Sequence, residues 1–471
     1  MESGPSSIPL APTPMTQTLT NIEYPTVPSA GKVLSLSWPM TTKAIFLHGT
    51  VVIDGWLISS LGEASLAAMG LAAAVGGLVS GVIFAFSNAM QISTAQAFGT
   101  KDLMFQKSVL AAGLLIGVTF GLLGLFVILN FGKSIVGLMA PTPDVAVKAW
   151  AYLSVFSAVI MAESVGQNLG SHFNGCGRTR IPLYGYCFSV PVNIFMSIVL
   201  IHGLWGFPAL GVVGAALGSA IAILMQAIYL TYQVYKYDGH LLRVPGWRNG
   251  TFLGTLKRHI NFSWPIAATF VSANYAARVC MLIFAQMSLA AFAAMTLIMP
   301  WIMVAGTIGM QWSQATGIIV AQLLGDKRSE ADLDTFLSSA WRAAFIAATL
   351  VAFIYLIICL MPGILYPTLG AETRSHLLSF TIVLLILPFP KQSNAICGNT
   401  LRASGDTIYV MHIFVWTQWL FRVPATMIAV LYLDLSPVLV LSLLFWEEIV
   451  KFPLFHRRLW RGDWKQSNVA E

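Results

Sequence analysis

Four side chains in this chain could together hold a small cation. Asp54 is a carboxylate set inside an apolar run, between Val51-Val52-Ile53 and Trp56-Leu57-Ile58. Asn193 and Ser197 are four residues apart, on one face of a helix. Ser219 ends the Gly/Ala-rich stretch that starts at Gly211. A carboxylate with neutral side-chain oxygens is the hard donor set that a small hard cation prefers. Glu163 is a second deep acid, ahead of the basic, Gly-rich turn from Gly175 to Arg180. An acid inside a membrane span costs roughly 2.5–3.5 kcal/mol on insertion scales, so it needs a partner or a task. These residues predict a cation site inside a transporter. Structural readings stand beside this one: Asp54 capping a neighbouring helix, Ser219 bonded to its own helix backbone, and Gly211, Gly214, Ala215 and Gly218 serving helix packing.

Composition demands a membrane. Of 471 residues, 57% are hydrophobic and only 10% charged, with a mean hydropathy of +0.75. A soluble domain carries about 25% charged residues. A span needs roughly 20 apolar residues, and twelve helices are predicted at 33–58, 65–97, 108–131, 147–171, 181–202, 208–235, 259–285, 290–323, 335–360, 375–399, 406–430 and 437–459. With that threading, one side and both termini take 18 of the 26 Lys and Arg; the other side takes only Lys133, Lys148 and Arg374. The positive-inside rule then makes both termini cytoplasmic, in a multi-pass protein of the plasma (inner) membrane. The net charge of +7 is thus a topology signal, and no nucleic-acid partner is expected. Five cysteines without metal or disulfide spacing read as packing residues. The polar, Pro-rich N-terminus reads as disordered and lacks the pattern of a cleaved signal peptide. Neither a GxxxxGK[ST] loop, a GxSxG elbow nor an HExxH pair occurs. ATP-driven transport and common hydrolytic chemistry are thereby disfavoured, and neither an enzyme nor a cofactor is expected.

The chain also contains an internal copy of itself. Ser37-Trp38-Pro39 recurs as Ser263-Trp264-Pro265, and Ala67-Ala68-Met69 as Ala293-Ala294-Met295. The pattern Ala95-Gln96-x-x-Gly99-x-Lys101 recurs as Ala321-Gln322-x-x-Gly325-x-Lys327, and Pro141-Thr142 as Pro367-Thr368, all at an offset of 226. Gly177-x-Thr179 matches Gly405-x-Thr407 at 228. Six helices per copy is an even number, so both copies enter the membrane from one side and binding is expected between them near the midplane. The predicted fold is an all-α membrane protein with twelve transmembrane helices in two pseudo-symmetric six-helix lobes. The divisions are a disordered cytoplasmic tail 1–31, an N-lobe 32–236, a cytoplasmic linker 237–257, a C-lobe 258–460 and a C-terminal tail 461–471. The copy also tests Asp54, because its counterpart is Cys280: the fold does not require an acid there.

Other polar residues divide into structural and cavity readings. Pro39 and Pro265 are expected near helix starts, where a missing N–H costs little. Lys43 is expected to snorkel to the interface, and His172 to be solvated beside a turn. Asp238-Gly239-His240 reads as a turn signal in the linker. Asn88 and Gln91 could line a hydrated path or bond across helices. Tyr275, Arg278, Met303, Gln311, Lys391 and Asn394 are cavity candidates in the second half, with aromatic and Met side chains suited to adaptable binding of large cations. Glu447, Glu448 and Lys451 can pair at helical spacing.

From residue 33 to 465 the chain resembles the multidrug and toxic compound extrusion (MATE) family. The carriers are Pro39 with Asp54, LGEASLAAMG at 61–70, AQAFGTKD at 95–102, GCGRTRIP at 175–182, ALGVVGAALGSA at 209–220 and LRASGDT at 401–407. PKQSN at 390–394 and EEIVK at 447–451 are similar to the branch with the DNA-damage-inducible relatives. The resemblance implies export of drugs or metabolites in exchange for H⁺ or Na⁺ by alternating access. It also implies a first-lobe cation site built from Asp54, Asn193, the Ala215 carbonyl and Ser219. Ser197 stands where the family often has a second Asp on helix 5, and the acid that some branches carry on helix 7 is missing, which leaves the choice of ion open and raises the interest of Glu163.

The expected function is secondary active export of an amphipathic or cationic small molecule across the lipid bilayer, by rocker-type alternating access in a monomer. The alternative within transport is a lipid-linked saccharide flippase, which would turn Arg278, Lys391 and Arg422 toward the seam. A non-transporting membrane receptor or transferase would instead lack a seam between the halves.

Overall fold

The computed structural model describes residues 27–362 and 369–466, and within them it is helical, with no strand. Most of the predicted tail 1–31, part of the tail 461–471 and the pair Pro367-Thr368 lie outside the described residues. We number the long helices α1 (Ala30–Ser59), α2 (Glu63–Gly99), α3 (Leu103–Met139), α5 (Arg180–His202) and α6 (Val212–Arg243), with α4 between α3 and α5. The chain continues with α7 (Phe252–Phe284), α8 (Leu289–Gly325), α9 (Glu330–Leu360), α10, α11 (Thr407–Tyr432) and α12 (Pro437–Trp460). Two are bent: α4 joins Pro143–Ser157 to Ile160–Gly175 at 51°, and α10 joins Ala371–Ile386 to Pro388–Ala403 at 44°. Eight helices are long and apolar enough to cross a membrane, and ten if each bent pair is one span. The more polar α1 and α12 complete twelve.

Several local expectations are corrected. Pro39 and Pro265 lie well inside α1 and α7, because those helices begin earlier, at Ala30 and Phe252. Each proline leaves the carbonyl four residues before it without its helical N–H. The predicted turn at Asp238 is helical, since α6 runs on to Arg243. Burial explains this: Asp238 accepts from Arg178 at 2.9 Å and meets the His172 ring at 3.1 Å. His172 is therefore buried, not solvated. Lys43 does not snorkel either; its ammonium lies 5.4 Å from the Tyr186 ring centroid.

The apolar core has two kinds of region. One cluster mixes both halves of the chain, with Val33, Leu36, Met40 and Ala95 packed among Trp312, Ile319, Leu323, Leu401 and Phe455. A smaller one sets Ala89 and Ile92 against Ile266. Toward the opposite end the cores separate: Leu57, Met69, Val136, Leu153 and Val212 belong to α1–α6, whereas Phe284, Met295, Phe380 and Val440 belong to α7–α12. The halves thus share a core at the end that carries the termini and keep their own cores at the other.

At the joined end the repeat makes a reciprocal clasp. Gln96 of α2 donates through Nε2 to the Ala403 carbonyl at the end of α10, at 2.7 Å. Its counterpart Gln322 of α8 donates to the Gly175 carbonyl at the end of α4, at 2.8 Å. These carbonyls belong to helix ends and lack intrahelical donors. The clasp requires α2 and α8 to touch backbone to backbone. A Cβ on Gly99 would collide with the Gln322 carbonyl, and one on Gly325 with the Gln96 carbonyl. Lys101 and Lys327 follow in the left-handed region, at φ 58° and 53°, and Lys101 reaches Asp326 at 3.4 Å.

This crossing has a direct check. Gly99→Ala is expected to cost about 1–3 kcal/mol by overpacking and to lower the thermal midpoint of the purified protein. Gly70→Ala, where nothing lies within 4 Å, serves as the reference. Equal midpoints for the two variants would contradict the described contact.

Candidate functional site: a carboxylate relay beside a cavity

The predicted cluster forms because α5 and α6 meet through glycine. A Cβ on Gly214 would strike the backbone of Leu200, and one on Gly218 the backbone of Ser197. With no side chains between the helices, the next residue, Ser219, reaches across. Asn193 donates through Nδ2 to Ser219 Oγ at 2.8 Å, and Ser219 Oγ donates to Asp54 Oδ2 at 3.1 Å. The relay therefore runs from α5 through α6 to α1, and all but Ser219 are buried. The Gly/Ala stripe both packs the helices and positions the hydroxyl.

The relay leaves acceptors over. Asp54 Oδ1 and Asn193 Oδ1 are buried with no hydrogen-bond partner. Two orphaned oxygens, one of them on a carboxylate, are what a proton or a small hard cation would satisfy. The donor set therefore fits such an ion.

Asp54, Asn193 and Ser219 line a cavity of about 260 Å³ walled by α1, α2, α4, α5 and α6. Glu163 lines the same cavity, just past the bend of α4, and accepts from Ser80 Oγ at 2.8 Å. It does not bond to the Asp54 relay. One turn on, Gln167 donates to the Tyr186 hydroxyl at 3.4 Å. Two acids thus border one cavity from separate hydrogen-bonded positions.

Tyr152 was not anticipated. It lines the cavity and stands close enough to interact with both Ser219 and Asp54. Its spacing of 11 residues from Glu163 is three helical turns, a signal obscured because tyrosines in apolar helices mostly pack. Ser80 and Gln226, also in the lining, carried no pattern of their own.

Two members of the expected set fall outside the relay. Ala215 is buried in the apolar core of α1–α6 and is not part of the cavity lining. Ser197 is buried against α6 with its hydroxyl unpartnered. Cys280, the counterpart of Asp54, faces Thr426 with Sγ 3.9 Å from its hydroxyl.

The cavity candidates outside this region scatter. Asn88 donates to its own helix at Phe84, 3.0 Å away. Gln91 accepts from Asn174 at 3.0 Å and so ties α2 to α4. Asn394 donates to the carboxylate and the carbonyl of Glu448, both at 2.8 Å. Lys451 bridges Glu447 at 2.7 Å and Glu448 at 3.1 Å, and Arg422 reaches Glu447 at 3.3 Å. Gln311 is buried in α8, whereas Tyr275, Arg278, Met303 and Lys391 are exposed. None of these lines the cavity beside Asp54.

Comparison with known proteins follows the same outline. A family model described as MatE matches residues 39–199. An uncharacterized transporter, YisQ of Bacillus subtilis, is 23% identical, over 93% of this chain and 96% of its own length. A probable multidrug resistance protein NorM of Agrobacterium fabrum is 27% identical, over 43% of this chain. The chain thus spans less than half the length of that relative, 43%. Among solved structures, a MATE protein in the bent conformation matches with a TM-score of 0.81 at 18% identity, covering 98% of this chain and all of that one. A transporter of the MOP superfamily from Pyrococcus furiosus, described as having a binding pocket of reverse polarity, matches at 0.82 and 17% identity, covering 97% of this chain and 100% of its own. At such identities the structures share the fold.

The relay separates two serines by their partners. Ser219→Ala strands the Asn193 amide and one Asp54 oxygen, and is expected to cost about 1–3 kcal/mol. Ser197→Ala removes an unpartnered hydroxyl and is expected to be neutral or slightly stabilising. Thermal unfolding of both purified variants tests this order, and the reverse order would contradict the relay.

Proposed function

We propose that this chain is a transporter of the MATE family, to which its matches point, and that it exports amphipathic or cationic small molecules in exchange for H⁺ or Na⁺, with Asp54 as the coupling carboxylate. The observation that carries this reading is the Asn193–Ser219–Asp54 relay, with two buried oxygens left without donors, in the lining of a cavity. A proton or cation on Asp54 neutralises the charge and satisfies those oxygens. Loss of the ion leaves a bare carboxylate that favours water and a reorganised first half. A coupling ion must stabilise one state of the protein over the other to drive transport. Holding the ion in one half only, with Cys280 at the mirrored position, provides that bias.

The separate cores at one end and the shared core at the other support rocking of α1–α6 against α7–α12 about the joined end. The basic balance of the loops at that end supports a cytoplasmic position for both termini in a plasma (inner) membrane. The flippase reading loses support from Arg422, which is taken up by Glu447 within the second half.

Purified protein in vesicles, loaded with a fluorescent cationic dye and given either a pH or a Na⁺ gradient, tests the proposal. Asp54→Asn is expected to abolish gradient-driven efflux while retaining the wild-type elution profile, and Glu163→Gln to retain measurable coupling. The gradient that drives the wild type identifies the ion. Undiminished efflux by Asp54→Asn would refute the assignment.

A further inference from the structure

A second cavity, of about 180 Å³, lies at the joined end, walled by α2, α3, the start of α7 and the turn after α10. No acidic residue lines it, but Arg248, Arg258 and His259 do. Arg248 stacks its guanidinium 4.1 Å from the Phe105 ring centroid. Its carboxylate neighbour is Asp102, at a loose 3.8 Å. Burial draws the Arg248 guanidinium below its ordinary pKa; Asp102 opposes the shift and the Arg258 charge adds to it. Arg258 has no carboxylate partner among the described residues. His259 is 6% exposed and lines the cavity, and its ring makes no hydrogen bond among the described residues. The same holds for the Ser93 hydroxyl, which is also buried. Two neighbouring like charges, a buried imidazole and a free hydroxyl therefore converge with nothing negative between them.

The geometry points to an anion site here that takes a phosphate-bearing group, through Arg248 and Arg258 with His259 and Ser93 as further donors. Guanidinium forks match phosphate oxygens in pairs, and an imidazole or hydroxyl donor suits a third oxygen. The other wall is made by Gln96, Ser404 and Gly405, at the Gln96–Ala403 clasp. A phosphate held between α7 and this wall would bind both halves and stabilise the joined end. The same chemistry is offered by free phosphate and by the headgroup of an anionic phospholipid, whose glycerol would meet Phe105 and Phe262 in the lining.

The test does not depend on the transport reading, because it measures binding alone. The full chain in detergent is titrated with inorganic phosphate against sodium chloride of equal ionic strength. In parallel, the chain in phosphatidylcholine nanodiscs is compared with and without phosphatidylglycerol. The readout is the ligand-induced rise in thermal midpoint within each variant. Wild type is expected to show a saturable rise. Arg258→Gln and His259→Phe are expected to weaken half-saturation roughly tenfold or more, the scale of a lost charged hydrogen bond. Arg243→Gln, which removes a charge away from the cavity, is expected to keep the response. A response to phosphate in detergent identifies a free anion; a response confined to phosphatidylglycerol identifies a lipid headgroup. Absence of both responses, or an unchanged response in Arg258→Gln and His259→Phe, would overturn the site.

Discussion

A polar group removed from water and surrounded by lipid must find its partner inside the protein, and that constraint arranges most of this bundle. An unsatisfied buried donor or acceptor costs on the order of 1–3 kcal/mol, so each amide and hydroxyl that leaves the aqueous phase becomes a connection between helices. Asn174 on Gln91 joins α4 to α2, and Asn394 on Glu448 joins α10 to α12. Gln96 and Gln322 join the two halves. Asn174 and Asn394 each keep one amide oxygen without a partner, and the Asp54 relay differs in that one of its two unpartnered oxygens belongs to a carboxylate. An orphaned carboxylate oxygen, unlike an orphaned amide oxygen, is one that a proton or a small cation suits.

Glycine makes these connections short enough. Gly214 and Gly218 bring α5 onto α6, Gly99 and Gly325 bring α2 onto α8, and a Cβ at any of the four would meet backbone. Without a strong hydrophobic drive between helices in lipid, close packing of this kind carries the association. The cluster of Asn193, Ser219 and Asp54 is therefore a product of helix contact as much as of residue choice. Nearby Ser197 shows the converse: it has the right chemistry but faces the glycine contact, away from the carboxylate.

Much of this was legible in the sequence because it rests on strong, local signals. Apolar length predicts the helices, the 226-residue offset pairs Gln96 with Gln322, and helical spacing predicts Lys451 with Glu447 and Glu448. An acid in an apolar run, Asp54, announces itself by its cost. What remained hidden depends on rotation and tilt of one helix against another. Tyr152 reads as a packing aromatic until the packing of α4 against its neighbours sets it close to Ser219 and Asp54. Lys43 and His172 read as interfacial until their helices turn them inward, toward Tyr186 and Asp238. The starts of α1 and α7 were placed late, at 33 and 259, because residues 30–32 and 252–258 are polar enough to read as loop, yet their helices begin at Ala30 and Phe252.

The reciprocal clasp bears on how such a molecule changes shape. Its two amide bonds lie on either side of a backbone crossing that leaves no clearance for even a methyl group. Small separations there give up close packing and amide partners before water has room to enter and replace either. Small gaps are thus an unfavourable geometry at this crossing, which favours close contact between α2 and α8. A joint of that kind tolerates little gradual loosening, so the two halves are held in register at this end by fit as well as by hydrogen bonds.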